Sequence, residues 1–182
     1  MKNISVLLFL LITLALNAQN NKTSGLNARQ FHKYWKVESE SPDYKVTFLG
    51  DTVEILSPKG LTLWRKEKMS GKVTIEYDAC VVVEVEGDRL SDLNCFWMAS
   101  DPQYPDNIWK REKWRSGIFL NCYSLQLYYM GYGGNHNSTT RFRRYDGNEA
   151  AITNAKARPA ILKEYTLSLI HISEPTRHAQ IS

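Results

Sequence analysis

The feature that most constrains the fold is a succession of short segments in which apolar and polar residues alternate, separated by turn residues. Tyr44–Phe48 and Thr52–Leu56 both alternate, and Gly50 with Asp51 marks a turn between them. No segment shows sustained helical spacing with caps. This pattern predicts an all-β fold, an antiparallel β-sandwich of two packed sheets. The other predicted strands are Leu61–Trp64, Lys72–Glu86, Leu93–Met98, Gly117–Leu120, Tyr123–Tyr132 and Thr139–Tyr145.

The N-terminus has the pattern of a secretory signal. Lys2 gives a basic start, an apolar run covers Ile4–Leu16, and Ala18 supplies the small residue for cleavage. The run is shorter than the about 20 residues that a membrane-spanning helix needs. We expect cleavage after Ala18, a secreted or periplasmic protein, and no transmembrane segment after signal cleavage. The polar residues 19–30 are expected to form a flexible lead-in to a β-sandwich domain over 31–166.

The last sixteen residues have the pattern of a cloning or sequencing artefact. Leu167–Arg177 reads as the translation of a transposase-based sequencing adapter, His178–Gln180 fits its variable index, and Ile181–Ser182 fits the constant continuation. Such segments are set aside before the fold is considered. We therefore expect 167–182 to be an artefactual, adapter-derived tail, and the β-sandwich domain to be truncated at its C-terminal end.

The composition argues against binding of nucleic acid or a transition metal. The 23 basic and 19 acidic residues give a net charge of +4 and are dispersed, whereas a phosphate-binding surface needs a concentrated basic patch. Cys80, Cys95 and Cys122 lie in apolar or alternating segments and match no zinc spacing, so we expect buried structural cysteines. No cofactor is expected. Structural calcium is compatible with such a sandwich, but no Asp-rich loop requires it.

The stretch 128–145 carries the densest set of polar, aromatic and cationic side chains. On the entering strand, the period of two predicts that Gln126, Tyr128 and Tyr132 share one face. The glycines that follow permit a tight turn. Aromatic rings stack on sugar faces and guanidinium groups bind carboxylates, so this surface favours a polysaccharide or oligosaccharide partner.

Further candidates lie on the turn and on the leaving strand. Asn135 and His136 offer hydrogen-bonding groups on the turn, although a histidine there is more often a simple surface residue. Arg141 and Arg143 are expected to share one face of the next strand, while Phe142 points to the core. Tyrosines and tryptophans in β-proteins are often half-buried packing residues, which is the structural alternative for the aromatic members of this set.

A polysaccharide lyase needs a neutralised carboxylate, together with a base and an acid within hydrogen-bonding reach. The candidate catalytic residues are Tyr128, Tyr132, His136 and Arg141. The candidate substrate-binding residues are Asn94, Trp97, Trp109, Arg115, Gln126, Asn135 and Arg143. The hydrolase alternative needs two carboxylates, and the spacing of Glu76 with Asp78, or of Glu84 with Glu86, places such a pair on one strand face.

Five blocks of the sequence resemble one protein family. That family is domain-of-unknown-function family 6250, whose members are exported mostly by Bacteroidota. It is similar to the concanavalin A-like lectin and glucanase sandwiches, or jelly rolls, and to small sandwich proteins that accompany rhamnogalacturonan breakdown in bacilli. The resemblance implies a jelly-roll fold and a setting in polysaccharide utilisation, but no particular reaction. The blocks are Leu63–Lys68, Val73–Tyr77, Ser91–Met98, Arg115–Gly117 and Tyr128–Tyr145.

We therefore expect an exported carbohydrate-active protein of polysaccharide utilisation, either a polysaccharide lyase or a glycoside hydrolase acting in a groove on a sheet face. Two other functions stay open at this point. One is a non-catalytic carbohydrate-binding domain, which needs no residue of special pKa. The other is a structural or interaction domain of a surface assembly. An enzyme should lose activity on one conservative substitution, whereas a binding domain should lose affinity gradually.

Overall fold

The computed structural model describes residues 4–9, 27–50, 52–83, 86, 88 and 93–166. These residues form antiparallel β-strands joined by turns and short helices, which confirms the predicted all-β sandwich. The strands are β1 (Ile4–Phe9), β2 (Trp35–Ser39), β3 (Lys45–Leu49), β4 (Thr52–Ser57), β5 (Leu61–Arg65), β6 (Asp78–Val82), β7 (Leu93–Ser100), β8 (Gln126–Gly133), β9 (Thr139–Asp146) and β10 (Ile161–Thr166). The helical segments are Ala28–Tyr34, Ile108–Arg111, Glu112–Arg115, Phe119–Ser124, Gly134–Asn137, Ala150–Thr153 and Ala155–Ala157.

The strands form two four-stranded sheets and a two-stranded ribbon. Sheet 1 has the strand order β3-β4-β1-β6, and sheet 2 has the order β10-β9-β8-β7. The ribbon consists of β2 and β5. In sheet 2, β7, β8 and β9 follow one another as neighbours, so the residues of the 93–146 region lie side by side across the sheet.

The ribbon packs on both of its faces because its side chains alternate. Trp35 and Val37 pack in a cluster with Phe31 and with the buried residues of sheet 1. On the other face, the ring of Trp64 stacks on Phe96 of sheet 2, with 5.9 Å between the ring centroids and 19° between the planes. The ribbon therefore connects the two hydrophobic clusters. The buried members of the second cluster are Trp64, Cys122, Tyr123, Leu125, Leu127, Tyr129, Tyr145 and Ala151.

A buried ion pair ties the ribbon to the helix Glu112–Arg115. Arg115 has 0% of its surface exposed and Glu38 has 5%. The guanidinium group of Arg115 donates hydrogen bonds of 2.7 and 3.2 Å to the Glu38 carboxylate and one of 2.8 Å to the carbonyl oxygen of Ile108. The fully buried carboxylate of Asp101 lies 4.0 Å from the same guanidinium. This arrangement holds the helical segment against the ribbon.

Sheet 2 has one buried face and one half-exposed face. The register places Phe96, Tyr129 and Arg143 beside one another on the face that carries the hydrophobic cluster, which we call the inner face. Trp97 and Tyr128 lie beside each other on the opposite face, which we call the outer face. Along β8 the burial alternates accordingly, since residues 127, 129, 131 and 133 are buried and the residues between them are not.

Two predicted strands are wrong. The sequence predicts a strand over Gly117–Leu120, but the chain forms a 3-10 helix over Phe119–Ser124. Gly117 takes a left-handed conformation, with φ of 70°, which interrupts an extended chain. In the predicted strand Lys72–Glu86, the described residues form a strand only over Asp78–Val82. Alternation shows that a segment can be extended, but a strand also needs a neighbouring strand to pair with. Within the described part of the chain, β6 pairs with β1 alone.

The N-terminal region departs from the simple expectation of signal and lead-in. β1 lies within the predicted signal segment 1–18 and pairs antiparallel with both β4 and β6. Cleavage after Ala18 stays a prediction, and it would remove β1 from the mature chain. The helix Ala28–Tyr34 begins inside the predicted lead-in. Its N-cap is Asn27, whose side chain accepts a 3.0 Å hydrogen bond from the backbone N–H of Gln30.

Candidate functional site

Four residues form one row across sheet 2 on its inner face. The register pairs Asn94 with Gly131, Gly131 with Arg141, and Arg141 with Glu164. Directly paired residues on neighbouring strands lie on the same face, with strands about 4.8 Å apart. Arg141 forms an ion pair with Glu164 and keeps 29% of its side chain exposed. Because Gly131 has no side chain, the middle of the row is open between an amide and a guanidinium group.

The hydroxyl group of Tyr129 fills this opening. It donates a hydrogen bond of 2.9 Å to Oδ1 of Asn94. The ring is 8% exposed and packs against Phe96 at 5.6 Å and Tyr145 at 5.5 Å between centroids. A Cβ atom at position 131 would overlap this hydroxyl, so the arrangement requires glycine there. The ring is thus fixed by the core, and its polar end points to the row.

Arg143 adds a second cation to the same face. It lies beside Tyr129 in the register and two residues from Arg141, so both guanidinium groups leave β9 on the inner side. The side chain is half-buried, and its Nε atom has no hydrogen-bond partner among the described residues. Burial raises the pKa of the Tyr145 hydroxyl, and the charge of Arg143 acts in the opposite direction. We call Asn94, Tyr129, Arg141 and Arg143 the arginine site.

The requirement for glycine at position 131 gives a direct test of the arginine site. Gly131→Ala is expected to destabilise the protein by about 1–3 kcal/mol, because the added methyl group has to displace the buried Tyr129 ring. Urea denaturation measures this loss. Tyr129→Leu is the control background: it removes the hydroxyl group that the added methyl group would meet, so Gly131→Ala should cost less stability there. Equal stabilities for Gly131→Ala and the unsubstituted protein would contradict the described position of the Tyr129 hydroxyl.

The turn between β8 and β9 is strained. Asn135, His136 and Asn137 have φ of 52°, 56° and 64°, so three successive residues other than glycine take left-handed conformations. Each such residue costs about 1–2 kcal/mol, and strain of this kind is often found at functional sites. Asn135 and His136 are exposed. Among the residues that the structure describes, no hydrogen bond or ion pair connects His136 to the arginine site, so the structure does not bring this candidate base to Arg141.

The structure divides the residues singled out from the sequence between the two faces. Asn94, Arg141 and Arg143 lie on the inner face. The two arginines therefore share one face of β9, as the sequence predicts. The prediction that Phe142 points to the core is wrong, since it lies on the outer face with Tyr128. The predicted residues that the register places on the outer face are Trp97, Gln126, Tyr128 and Tyr132. Tyr128 and Tyr132 therefore cannot act together with Arg141 on one substrate.

Two other predicted binding residues belong to the packing of the helical segments. Arg115 has no exposed surface and is occupied by Glu38, so its assignment as a substrate-binding residue is wrong. Trp109 is partly buried against the hydrophobic cluster of sheet 2, and the ammonium group of Lys36 lies 5.3 Å from its ring centroid. Tyr129 is the tyrosine at the arginine site, and it is not among the candidate residues predicted from the sequence. The sequence signal for it is Gly131 two residues later on the same face.

The described residues offer little for a metal ion. No group of three or more His, Cys, Asp or Glu side chains in the described part of the chain is arranged to hold one. Cys122 is a buried thiol, and burial raises its pKa to about 12. Burial also raises the pKa of Cys95, against which the Tyr77 hydroxyl packs. Neither Cys95 nor Cys122 is therefore activated as a nucleophile.

Comparison with known protein families matches residues 55–182 to the family described as Domain of unknown function (DUF6250). The match includes β7, β8 and β9, which carry the arginine site, and it also includes the segment 167–182, which is expected to be an adapter-derived tail. No curated protein and no solved structure matches the chain. Within the described residues, no helix has the length and apolar character needed to cross a membrane. The match covers more than half of the chain, and the protein therefore belongs to the DUF6250 family.

Proposed function

We propose that this protein is an exported, carbohydrate-active protein that cleaves a uronate-containing polysaccharide by β-elimination at the arginine site. The observation that carries the proposal is the set of polar groups on the inner face of sheet 2. It places an amide (Asn94), two guanidinium groups (Arg141 and Arg143) and a phenol (Tyr129) on one surface. Guanidinium groups bind carboxylates in a fork geometry, and a uronate is a sugar that carries a carboxylate.

The reaction needs three contributions, and the site contains a group for each. Arg141, Arg143 and Asn94 bind the uronate carboxylate and neutralise its charge, which makes the neighbouring C5–H bond more acidic. Tyr129, as its phenolate, accepts the C5 proton while the C4–O bond to the next sugar breaks. The electron pair of the C–H bond forms the C4=C5 double bond. The leaving oxygen then takes the proton back from the Tyr129 phenol.

The described carboxylates favour this reaction over hydrolysis. Glu76 lies outside the strands and is exposed, so the predicted pair of Glu76 with Asp78 does not share a strand face. Of the second predicted pair, Glu84 lies outside the described residues. Glu164 is the carboxylate in the row, and it is paired with Arg141. A glycosidase requires two carboxylates on either side of the scissile bond.

The test is a cleavage assay on the protein produced from the complete gene. The purified protein is mixed with a panel of uronate-containing polysaccharides, and the ultraviolet absorbance of unsaturated uronate ends is followed. We expect a rise that falls by roughly 100-fold or more in Tyr129→Phe, since general acid–base catalysis contributes about 10²–10⁴-fold. Tyr44→Phe, at an exposed tyrosine directly before β3, is the matched control. Full activity of Tyr129→Phe would contradict the assigned role.

A second candidate function is non-catalytic binding of the same acidic sugar. The low exposure of Tyr129, at 8%, favours it, because a base has to reach the substrate. In that case the absorbance stays flat for every polysaccharide, while the protein is retarded in a gel that contains its ligand. Arg141→Ala and Arg143→Ala then each weaken the retardation gradually, and Tyr129→Phe has little effect.

A further inference from the structure

We propose that Glu164 restricts the arginine site to sugars that carry a single carboxylate group, and that it excludes sugars that also carry sulfate. Because it concerns the substrate class of that same site, this inference rests on the proposed function. Glu164 lies in β10, directly beside Arg141 in the register, and forms an ion pair with it. The charges that meet on the inner face of sheet 2 decide which acidic glycan fits there.

Three charged side chains of sheet 2 lie on its inner face. The register places Arg141 and Arg143 there from β9, and it places Glu164 there from β10. β7 and β8 contain no charged residue. The described strands of sheet 2 therefore give the inner face two cations and one carboxylate. The remaining charged residues of β9 and β10 lie on the outer face, and they are Arg144, Asp146 and Lys163.

Glu164 contacts one edge of the Arg141 guanidinium group. Its carboxylate accepts a hydrogen bond from Nε of Arg141. Within the described part of the chain, the two terminal NH2 groups of Arg141 donate no hydrogen bond, and 29% of the side chain is exposed. A sugar carboxylate can therefore bind these terminal groups in the fork geometry that guanidinium groups favour. It then lies on the same guanidinium group as the carboxylate of Glu164.

One sugar carboxylate brings the charges of this face to zero. Arg143 forms no ion pair with another described residue, and it lies two residues along β9 from Arg141 on the same face. With a uronate bound, two guanidinium groups face two carboxylates, one from Glu164 and one from the sugar. A sulfate group on the same sugar adds a negative charge for which the inner face of sheet 2 has no further cation. Repulsion by Glu164 then disfavours the sulfated sugar.

Glu164 contributes little to the stability of the fold. Residues 161–164 of β10 are exposed, and 37% of the Glu164 side chain is exposed in its ion pair with Arg141. Ion pairs this exposed add little to folding stability. A substitution at Glu164 should therefore leave the protein folded and change the choice of glycan.

The test uses three uronate polymers, polygalacturonate, alginate and hyaluronan, each beside its chemically O-sulfated form. The protein from the complete gene is assayed by the absorbance of unsaturated uronate ends, and kcat/KM is compared within each pair. We expect the unsubstituted protein to prefer the unsulfated form by about tenfold or more. Glu164→Gln keeps the size and an acceptor oxygen but removes the charge, so it should lower this preference about tenfold. Glu67→Gln, in the exposed ion pair of Glu67 with Arg65, is the matched control and should keep the preference.

A binding measurement lets this inference and the proposed function fail separately. Tetrasaccharides of the three polymers, in both forms, are titrated into the protein in a calorimeter. A flat absorbance trace together with the expected binding preference overturns the lyase and supports the role of Glu164. Cleavage with the same preference in Glu164→Gln as in the unsubstituted protein overturns the role of Glu164 and leaves the lyase intact. Binding of no tetrasaccharide and cleavage of no polymer overturn both.

The salt dependence of the preference tests the same role without any substitution, and it decides if Glu164→Gln does not fold. Repulsion between partly exposed charges is screened by salt, so the preference of the unsubstituted protein should shrink as the salt concentration rises. A preference that salt does not change shows that sulfate is excluded by its size, and it overturns the role of Glu164. A preference for the sulfated form overturns it as well.

Discussion

Replacing Arg115 with alanine is expected to destabilise the protein by about 3–5 kcal/mol, the largest effect of any single substitution considered for stability. Arg115 is fully buried and donates two hydrogen bonds to Glu38 and one to the backbone of Ile108. Without it, the Glu38 carboxylate is left in the interior with no cation beside it. A shift of the urea midpoint with an unchanged slope measures the loss.

A double variant distinguishes the ion pair from simple packing. Arg115→Met combined with Glu38→Leu removes both charges and keeps much of the volume, and it should recover most of the stability lost in Arg115→Ala. Buried ion pairs can often be replaced by apolar residues with little loss, whereas a single unpaired charge cannot. If the double variant is as unstable as Arg115→Ala, the cause is lost volume, and the charge argument is wrong.

The loss of folding stability in Arg115→Ala should become smaller as the pH falls. Burial raises the pKa of Glu38, and the hydrogen bond and charge of Arg115 act against this increase. A carboxyl whose folded pKa lies above its unfolded value stabilises the fold when protonated, and this contribution is lost as the pH rises through the folded pKa. In Arg115→Ala the folded pKa rises further. The stability difference should therefore be largest at neutral pH and shrink as the pH falls.

Replacing Arg141 with alanine is expected to lower the rate of the proposed uronate cleavage by roughly 10²–10³-fold, which is the usual effect of removing one group that stabilises developing negative charge. The fold should change little, because the ion pair of Arg141 with Glu164 is partly exposed, and such pairs contribute about 0–1 kcal/mol. The measurement is kcat/KM on the polysaccharide that gives the absorbance rise, together with a melting temperature.

Two further substitutions test whether the effect depends on the geometry of the Arg141 guanidinium group and on its position in the fold. Arg141→Lys keeps the charge but loses the two-pronged guanidinium geometry, so it should recover only part of the activity. Arg29→Ala removes an exposed arginine far along the sequence from sheet 2 and should leave the rate unchanged. Activity of Arg141→Ala equal to that of the unsubstituted protein would place the reaction somewhere other than the inner face.

Much of the fold follows from local sequence pattern. Alternation predicts the strands β3, β4, β5, β7, β8 and β9 close to their observed bounds, because a period of two is a property of each strand alone. The same period correctly places Arg141 and Arg143 on one face of β9. The blocks that resemble domain-of-unknown-function family 6250 identify the family, which the match over residues 55–182 confirms.

The composition of the site was decided by pairing between strands. Alternation shows which residues of one strand share a face, but it does not say which face is the inner one. It therefore could not separate Tyr128, on the outer face, from Tyr129, whose hydroxyl reaches Asn94. That contact depends on the register that sets Asn94 beside Gly131, and a shift of one residue would reverse every side chain.

Burial was the other feature that only the tertiary structure decided. In the sequence, Arg115 is one cation among several basic residues near Trp109, and it has the composition of a binding loop. Its partner Glu38 lies 77 residues away, and only the packing of the ribbon against the helical segment brings the two together. The sequence by itself determined the strands, their alternation and the family. Pairing over long separations decided which polar groups meet and which are buried, because those contacts join residues that no local pattern connects.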